Sequence, residues 1–263
     1  MMANFYNLSV TLFLTLVQKL GDFALFTGTF FRWARQKPFR GTLLIQQMNS
    51  IGVDSTPIII LVSFFTGAVF ALQTGYAFRL FNAEALVGAT VGLSLTREIA
   101  PVFAALMVAA RAGSAMSAEL GTMRVTEQID ALEAMAVNPL HYLLVPRVLA
   151  STIMLPVLTV IFNFVGFLGA YLVGVILLEI PEGPFMHRMQ VYVDADDLFG
   201  GLFKAAIFGF LLSLLSCYQG YFTKGGAKGV GASTTRAVVV SSVTILVVDY
   251  FLTQWIQEVI GVN

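Results

Sequence analysis

Five stretches of the chain are apolar over the length that a membrane crossing requires. A transmembrane helix needs about 20 consecutive, mostly apolar residues. The stretches that meet this length are residues 57–80, 85–110, 148–178, 198–222 and 237–260. The third stretch is long enough to tilt, or to bend at Pro156. The pattern therefore predicts an all-α integral membrane protein with about five transmembrane helices.

A further apolar segment, residues 5–33, precedes these stretches but is interrupted by polar residues. The interrupting residues are Gln18, Lys19 and Asp22, and the basic residues around its end are Arg32, Arg35, Lys37 and Arg40. A helix lying in the membrane interface fits this pattern better than a sixth span, and we expect no signal peptide. We therefore expect a single membrane domain, with the interfacial helix and a basic linker in residues 1–45 and the transmembrane region in residues 46–263.

Rows of small residues at four-residue spacing occur in three of the stretches. The residues are Gly88 and Gly92, then Gly166, Ala170 and Gly174, then Gly201, Ala205 and Gly209. Such rows let helix backbones approach closely. The rows indicate either packing within one subunit or the seam of a dimer.

Positively charged side chains are distributed unequally between the two ends of the predicted spans. With the N-terminus in the cytoplasm, eleven of the 15 Lys and Arg residues lie on the cytoplasmic side. They are Lys19, Arg32, Arg35, Lys37, Arg40, Arg111, Arg124, Arg147, Lys224, Lys228 and Arg236. The opposite loop, residues 179–198, is acidic. Because basic residues favour the cytoplasmic side, we expect a cytoplasmic N-terminus and a C-terminus on the outer side.

The composition excludes several classes of protein. Hydrophobic residues make up 57% of the 263 residues and charged residues 11%, compared with about 25% charged residues in soluble domains. The net charge of zero provides no basic field for nucleic acid. A single cysteine, Cys217, excludes an internal disulfide, and His141 and His187 have no metal-ligand spacing.

The sequence contains no pattern that predicts catalysis or nucleotide binding. The glycine-rich segment 223–231 lacks the spacing of a phosphate loop and follows no predicted strand, so we interpret it as a flexible cytoplasmic loop. Nothing else resembles a nucleophile with its base, or a pair of catalytic carboxylates. We therefore expect no enzymatic activity, no metal and no cofactor in this chain.

Arg97 and Glu98 lie in the middle of the second apolar stretch. A charge at that depth costs several kcal/mol unless it is paired or hydrated. Pro101 removes the backbone hydrogen bond to the carbonyl of Arg97 and should bend the helix there. The two charges are either functional or part of a structural ion pair with Asp249 or Lys204, and the pattern favours neither interpretation.

A long cytoplasmic loop is predicted at residues 111–147, with a short amphipathic helix at residues 127–136 that ends before Pro139. Its apolar side consists of Ile129, Leu132, Met135 and Ala136, and its acidic side of Glu127, Asp130 and Glu133. The helix could simply connect two spans. An apolar surface presented to the cytoplasm favours docking of a partner.

One run of residues matches a known family. Residues 95–139 read LTREIAPVFAALMVAARAGSAMSAELGTMRVTEQIDALEAMAVNP and strongly resemble the signature of the MlaE/YrbE permeases. The resemblance extends over about residues 46–253. Members of this family are membrane subunits of ABC transporters that move lipids between the bacterial inner and outer membranes. The resemblance implies a multi-pass permease of the inner membrane, with a periplasmic C-terminus, that moves phospholipids and supports outer-membrane lipid asymmetry.

The resemblance also implies partners and site residues. The permease would be a homodimer that binds two cytoplasmic ATPase subunits, a periplasmic MCE-domain ring and a small STAS-type cytoplasmic subunit, and the ATPase would bind ATP and Mg²⁺. The short cytoplasmic helix would couple to the ATPase through Glu127, Gln128, Asp130, Leu132, Glu133 and Met135. Phospholipid would occupy a pocket between the two subunits, lined by Leu72, Gln73, Tyr76, Ala77, Phe78, Phe81, Arg97, Glu98 and Ile99.

Two other functions compete with the lipid permease. An ion-coupled secondary transporter would use Glu98 and Asp249 as proton sites, and a membrane scaffold would transport nothing. Lipid movement that requires a separate ATPase distinguishes the permease from the ion-coupled transporter. Variants of Arg97 and Glu98 without effect would favour the scaffold.

Overall fold

The computed structural model describes residues 17–18, 21–36 and 41–260, and the regular structure in these ranges is helical throughout. The helices are α1 (residues 21–34), α2 (Gly41–Ile51), α3 (Thr56–Arg79), α4 (Val87–Ser94), α5 (Ala100–Val108), α6 (Ser114–Val125), α7 (Gln128–Ala134), α8 (Val145–Tyr171), α9 (Glu182–Tyr192), α10 (Ala195–Tyr221) and α11 (Gly226–Ile260). Short 3₁₀ turns occur at Val53–Ser55 and Glu84–Leu86, and wider π-helical turns at Leu95–Ile99, Ala109–Gly113, Leu140–Leu144 and Leu172–Leu177.

Five helical segments of the described chain are long and apolar enough to cross a membrane. The first span is Gly41–Arg79, the second Glu84–Val125, the third Leu140–Leu177, the fourth Ala195–Tyr221 and the fifth Gly226–Glu258. The prediction of five transmembrane helices is confirmed, and the protein is a multi-pass membrane protein. Four of the spans have 33 residues or more, whereas a bilayer needs about 20, so their ends extend beyond the hydrocarbon.

The prediction that a loop begins at residue 111 is wrong, because the second span continues as helix to Val125. The segment is rich in Ala, Ser, Gly and Met, and hydropathy alone does not mark it as buried. The structure buries Met116, Ser117 and Leu120 against the other spans. A Cβ atom added to Gly220 of the fourth span would lie 2.7 Å from the carbonyl oxygen of Ser117. Close backbone packing of small residues therefore keeps this polar-looking segment helical.

Two other predicted loops are also largely helical. The fifth span begins at Gly226, so only residues 222–225 connect it to the fourth span. Gly225 and Gly226 make this reversal with φ angles of 93° and 66°, which glycine adopts without steric strain. On the opposite side, the predicted outer loop contains α9. Phe185 of α9 is buried, and its backbone lies close to Gly88.

The third span packs between the first and fourth spans. Glycines allow both approaches. A Cβ atom at Gly67 would collide with the carbonyl oxygen of Gly166, and one at Gly209 would lie 2.5 Å from the carbonyl oxygen of Ser151. These small residues therefore pack helices within one chain. Packing within one subunit was the first of the two interpretations of the small-residue rows, and the seam of a dimer was the second.

Helix α1 packs on the fourth span through aromatic side chains. The ring of Phe26 lies 5.3 Å from that of Tyr218, and the ring of Phe30 lies 5.9 Å from that of Phe210. Edge-to-face contacts of this kind add to the burial of apolar surface. The interfacial position of the N-terminal helix stays a prediction. Residues 1–16, Lys19, Lys37, Arg40 and Asn263 lie outside the described residues.

Candidate functional site

Arg97 and Glu98 belong to a group of five charged side chains that joins the second, fourth and fifth spans, which we term the charge network. Glu98 Oε2 lies 2.7 Å from Lys204 Nζ, and Lys204 Nζ lies 3.4 Å from Asp249 Oδ1. Arg97 has a different partner, with its Nε atom 2.6 Å from Asp197 Oδ1. An ion pair with Lys204 was one of the two interpretations for Glu98. Asp197 was not identified from the sequence as the partner of Arg97.

Lys204 is the centre of the charge network and is almost completely buried. Its Nζ atom also donates hydrogen bonds to Thr253 Oγ1 at 2.7 Å and to the carbonyl oxygen of Arg97 at 3.2 Å. That carbonyl would normally accept from the backbone N–H four residues on, but Pro101 has none. Lys204 therefore supplies the donor that Pro101 lacks. The turn Leu95–Ile99, just before Pro101, widens into a π-helix, a feature often found at functional positions.

A small polar cavity borders the charge network. Its volume is about 30 Å³, and its lining includes Arg97, Glu98, Asp197, Lys204 and Gln257. A cavity of this size holds roughly two water molecules. The polar cavity can hydrate the charges but is too small for a lipid head group.

A larger, apolar groove lies between the first and second spans, and we term it the first-span groove. Its volume is about 510 Å³. It is lined by Leu61, Val62, Phe65, Thr66, Val69, Phe70, Gln73, Ile99 and Phe103. Seven of these nine side chains are hydrocarbon or aromatic, which suits acyl chains, and Thr66 and Gln73 are the polar members. The groove can therefore hold an apolar chain beside an isolated polar contact.

Helix α7, which contains the predicted coupling segment, covers residues Gln128–Ala134 and is shorter than predicted. The backbone reverses into the left-handed region on both sides of it, with φ of 60° at Glu127 and 58° at Ala136. Its predicted apolar side is divided: Ile129 is completely buried in the protein, whereas Met135 is 65% exposed. Leu132 is half-buried against the core. Met135 is therefore available to a partner, and Ile129 anchors the helix to its own chain.

Acidic residues of α7 are held by neighbouring side chains. Asp130 Oδ1 lies 2.7 Å from Arg124 Nη1 at the end of the second span. The Tyr221 hydroxyl donates a 3.5 Å hydrogen bond to Glu133 Oε1. These contacts connect α7 to the second and fourth spans, so its orientation is set by the membrane domain.

Comparison with known families decides the family of the chain. The sequence model of the family described as Permease MlaE matches residues 44–255, which include all five spans except their outermost residues. This match covers well over half of the chain. The chain belongs to the MlaE permease family.

Individual relatives of this MlaE-family permease agree with that assignment. A protein of Rickettsia conorii named a probable ABC transporter permease is 44% identical over 237 residues, which cover 90% of this chain and 92% of the relative. An equally named protein of Synechocystis is 41% identical, and 88% of each chain is covered. The intermembrane phospholipid transport system permease protein MlaE of Haemophilus influenzae is 41% identical, with 80% of this chain and 81% of the relative covered. The chain is therefore an ABC transporter permease.

The residues expected to line the lipid pocket of this MlaE-family permease fall in three places. Gln73 and Ile99 line the first-span groove, whereas Arg97 and Glu98 line the small polar cavity. Five others line neither: Leu72 and Phe78 are half-buried, and Tyr76, Ala77 and Phe81 are exposed at the C-terminal end of the first span. Within one chain they do not enclose a single pocket, and their role in lipid binding stays a prediction.

Sequence reasoning missed most of the first-span groove. Leu61, Phe65 and Val69 follow one another at four-residue spacing and are all more than half exposed. The first span is apolar on every side, so no polar face marks which residues point away from the bundle. The four-residue spacing together with Gln73, a polar residue in the same row, was the available signal.

Proposed function

We propose that this chain is the transmembrane permease subunit of an ATP-driven transporter that moves phospholipids between the inner and outer membranes, and so supports outer-membrane lipid asymmetry. The observation that supports this function best is the first-span groove, an apolar volume of about 510 Å³ in the membrane domain of an ABC permease. The substrate class follows from the Haemophilus relative, which is named as a phospholipid transport permease.

The polar residue Gln73 supports a pocket shared between two copies of the chain. Its side chain lies in the first-span groove and makes no hydrogen bond with any described residue. An amide that faces only hydrocarbon is unfavourable by several kcal/mol. A second subunit across the groove, with a lipid head group between the copies, provides hydrogen-bonding partners. In this homodimer Tyr76 and Phe81 form the outer rim, and Tyr76 presents an amphipathic ring suited to the membrane interface.

The energy source is an ATPase in a separate subunit. Helix α7 presents Met135 and the exposed residues Gln128 and Ala131 on the side of the membrane where the basic residues lie. A short exposed helix of this kind suits a groove on a cytoplasmic partner. ATP and Mg²⁺ are bound by that partner, and a periplasmic MCE-domain ring and a STAS-type subunit complete the complex. The permease lies in the bacterial inner membrane, with its N-terminus in the cytoplasm and its C-terminus in the periplasm.

Crosslinking tests the position of the lipid. Photo-reactive residues are introduced at Tyr76, at Phe81 and, because the structure adds it to the groove, at Phe65. Phospholipid adducts are expected at these positions, and their amount should change when ATP is supplied to the assembled complex. The matched controls are Phe164 and Tyr250, which are 66% and 65% exposed on other spans.

Two outcomes would contradict the proposal. Adducts at Phe164 and Tyr250 but none at Phe65, Tyr76 and Phe81 would place the lipid elsewhere. Adducts that respond to a proton gradient and not to ATP would favour the ion-coupled alternative, in which Glu98 and Asp249 carry protons.

A further inference from the structure

A second, larger cavity lies between the fourth and fifth spans, beside the connection at residues 222–225. Its volume is about 730 Å³, and we term it the connection cavity. The fourth span contributes Leu211, Leu215 and Tyr218 to its wall, and Phe23 of α1 also lines it. These residues recur at three- and four-residue spacing, which places one continuous face of the fourth span along the cavity.

The fifth span presents small side chains to the cavity in the turns nearest the connection. Gly229, Ala232 and Ser233 occupy the turns nearest the connection. The two spans are nevertheless held together there, because Thr223 Oγ1 donates a 2.8 Å hydrogen bond to Ser233 Oγ and both residues are buried. The space is therefore a product of residue size between two joined helices. Cavities of roughly 300–1,000 Å³ are typical of small-molecule sites.

The lining combines two cations with an apolar wall. Lys224 lies in the connection and Arg236 about three turns into the fifth span, and both line the cavity. Leu211 lies at about the depth of Arg236 on the facing fourth span, and Val240 lies one turn beyond Arg236. A phospholipid combines complementary groups, with an anionic head for the cations and acyl chains for the apolar wall.

The two cations have no acidic partner in the described part of the chain. Neither Lys224 nor Arg236 lies within 4 Å of a described carboxylate, whereas Arg97, Arg147 and Lys204 are all ion-paired. A guanidinium can form two parallel hydrogen bonds with a phosphate, and an ammonium adds a second positive charge. Basic pockets between transmembrane helices are suited to anionic lipid head groups.

We propose that the connection cavity binds an anionic phospholipid from the adjoining leaflet. Lys224 and Arg236 hold the head-group phosphate, and an acyl chain lies along Leu211, Leu215 and Val240. With the orientation proposed above, this is the cytoplasmic leaflet. The site is separate from the first-span groove, since the two cavities share no lining residue, and its existence does not depend on the transport function.

The test measures lipid binding to the purified, delipidated full-length protein by native mass spectrometry. Phosphatidylglycerol and phosphatidylcholine of the same acyl length are titrated separately. The variant Lys224→Gln/Arg236→Gln should lose about tenfold or more in affinity for phosphatidylglycerol, with little change for phosphatidylcholine. The control Arg35→Gln/Lys228→Gln removes the same charge from exposed, described residues of the basic side that lie outside the cavity, and it should bind as the unmodified protein does.

A second variant tests the cavity and not the charge. Ala232→Phe keeps both cations but fills the space, and it should also weaken the binding of phosphatidylglycerol. A photo-reactive residue at Val240 should give phosphatidylglycerol adducts that decrease in the charge variant, while adducts at Tyr76 are unchanged. This second result separates the site from the proposed transport pocket.

Three outcomes would overturn the proposal. Affinity that survives the loss of Lys224 and Arg236 would show that they hold no head group. An equal loss in the control variant would show general attraction of the basic surface. Full binding in Ala232→Phe, without adducts at Val240, would place the lipid outside the cavity.

Discussion

Replacing Lys204 by methionine should destabilise the protein strongly. Lys204 Nζ lies 2.7 Å from Glu98 Oε2 and 3.4 Å from Asp249 Oδ1. At an effective dielectric constant of about 20, the closer contact corresponds to about 6 kcal/mol of gross Coulomb energy. Desolvation opposes most of this, but removing one partner of a buried pair leaves an uncompensated charge and costs about 3–5 kcal/mol.

The lower end of that range applies to Lys204→Met. The Glu98 side chain is 37% exposed and water can screen it, whereas the Asp249 side chain is only 19% exposed. Asp249 Oδ1 also makes no hydrogen bond with a described residue, so it depends most on Lys204. A loss of about 3 kcal/mol corresponds to a decrease in melting temperature of roughly 6–12 °C for a chain of this size.

Thermal unfolding in detergent, followed by size-exclusion chromatography, measures the effect. The control Lys228→Met makes the same chemical change at an exposed position and should shift the melting temperature by less than about 2 °C. Adding Glu98→Gln and Asp249→Asn to Lys204→Met should recover more than half of the loss, since no unpaired charge is left. A melting temperature for Lys204→Met equal to that of the control would refute the reasoning, and failure of the triple variant to recover would show that packing, not charge, is lost.

Three further predictions concern topology, coupling and packing. In a Cys217→Ser background, a cysteine at Glu182 should react with an impermeant thiol reagent added outside and one at Lys224 should not; the reverse result would invert the proposed orientation. The change Ala131→Asp/Met135→Asp should abolish copurification of the ATPase, while Leu132 keeps α7 packed on the protein. The control Val191→Asp on α9 should leave copurification intact. Full recovery of the ATPase with the first variant would exclude α7 as its docking site. Gly67→Ala should lower the free energy of unfolding by about 1–3 kcal/mol, because its Cβ atom meets the carbonyl oxygen of Gly166. The control Gly28→Ala places a Cβ atom where nothing lies within 4 Å, so it should leave the melting temperature unchanged or raise it slightly. Equal melting temperatures for both variants, measured by the same unfolding assay, would contradict the close contact.

Hydropathy was sufficient for the number of spans but not for their ends. Residues 57–80 stand out because their side chains meet lipid or apolar neighbours, and hydropathy measures that preference directly. Residues 114–125 are helical for another reason, the close contact of small residues such as Ser117 with the fourth span. A window average along the chain contains no information about such contacts, so the second span was ended about 15 residues early.

The charged residues were likewise predictable from the sequence only in part. The position of Arg97 and Glu98 in an apolar stretch identified them as residues that need partners. Their actual partners lie about 100 residues away in the sequence, at Asp197 and Lys204, and only the packing of the second span against the fourth brings them together. The first-span groove was harder still to predict, because a helix that is apolar all round gives no sign of the direction its side chains face.

The continuous second span has a mechanical consequence. Its 42 residues run without a loop from Glu84 to Val125, a distance of about 63 Å at 1.5 Å per residue. Helix α7 is attached to its C-terminal end through Arg124 and Asp130, and the charge network lies towards its N-terminal end. We expect a displacement imposed on α7 to reach Arg97 and Glu98 along this one helical segment, and we expect the segment to bend at its π-helical turns, Leu95–Ile99 and Ala109–Gly113.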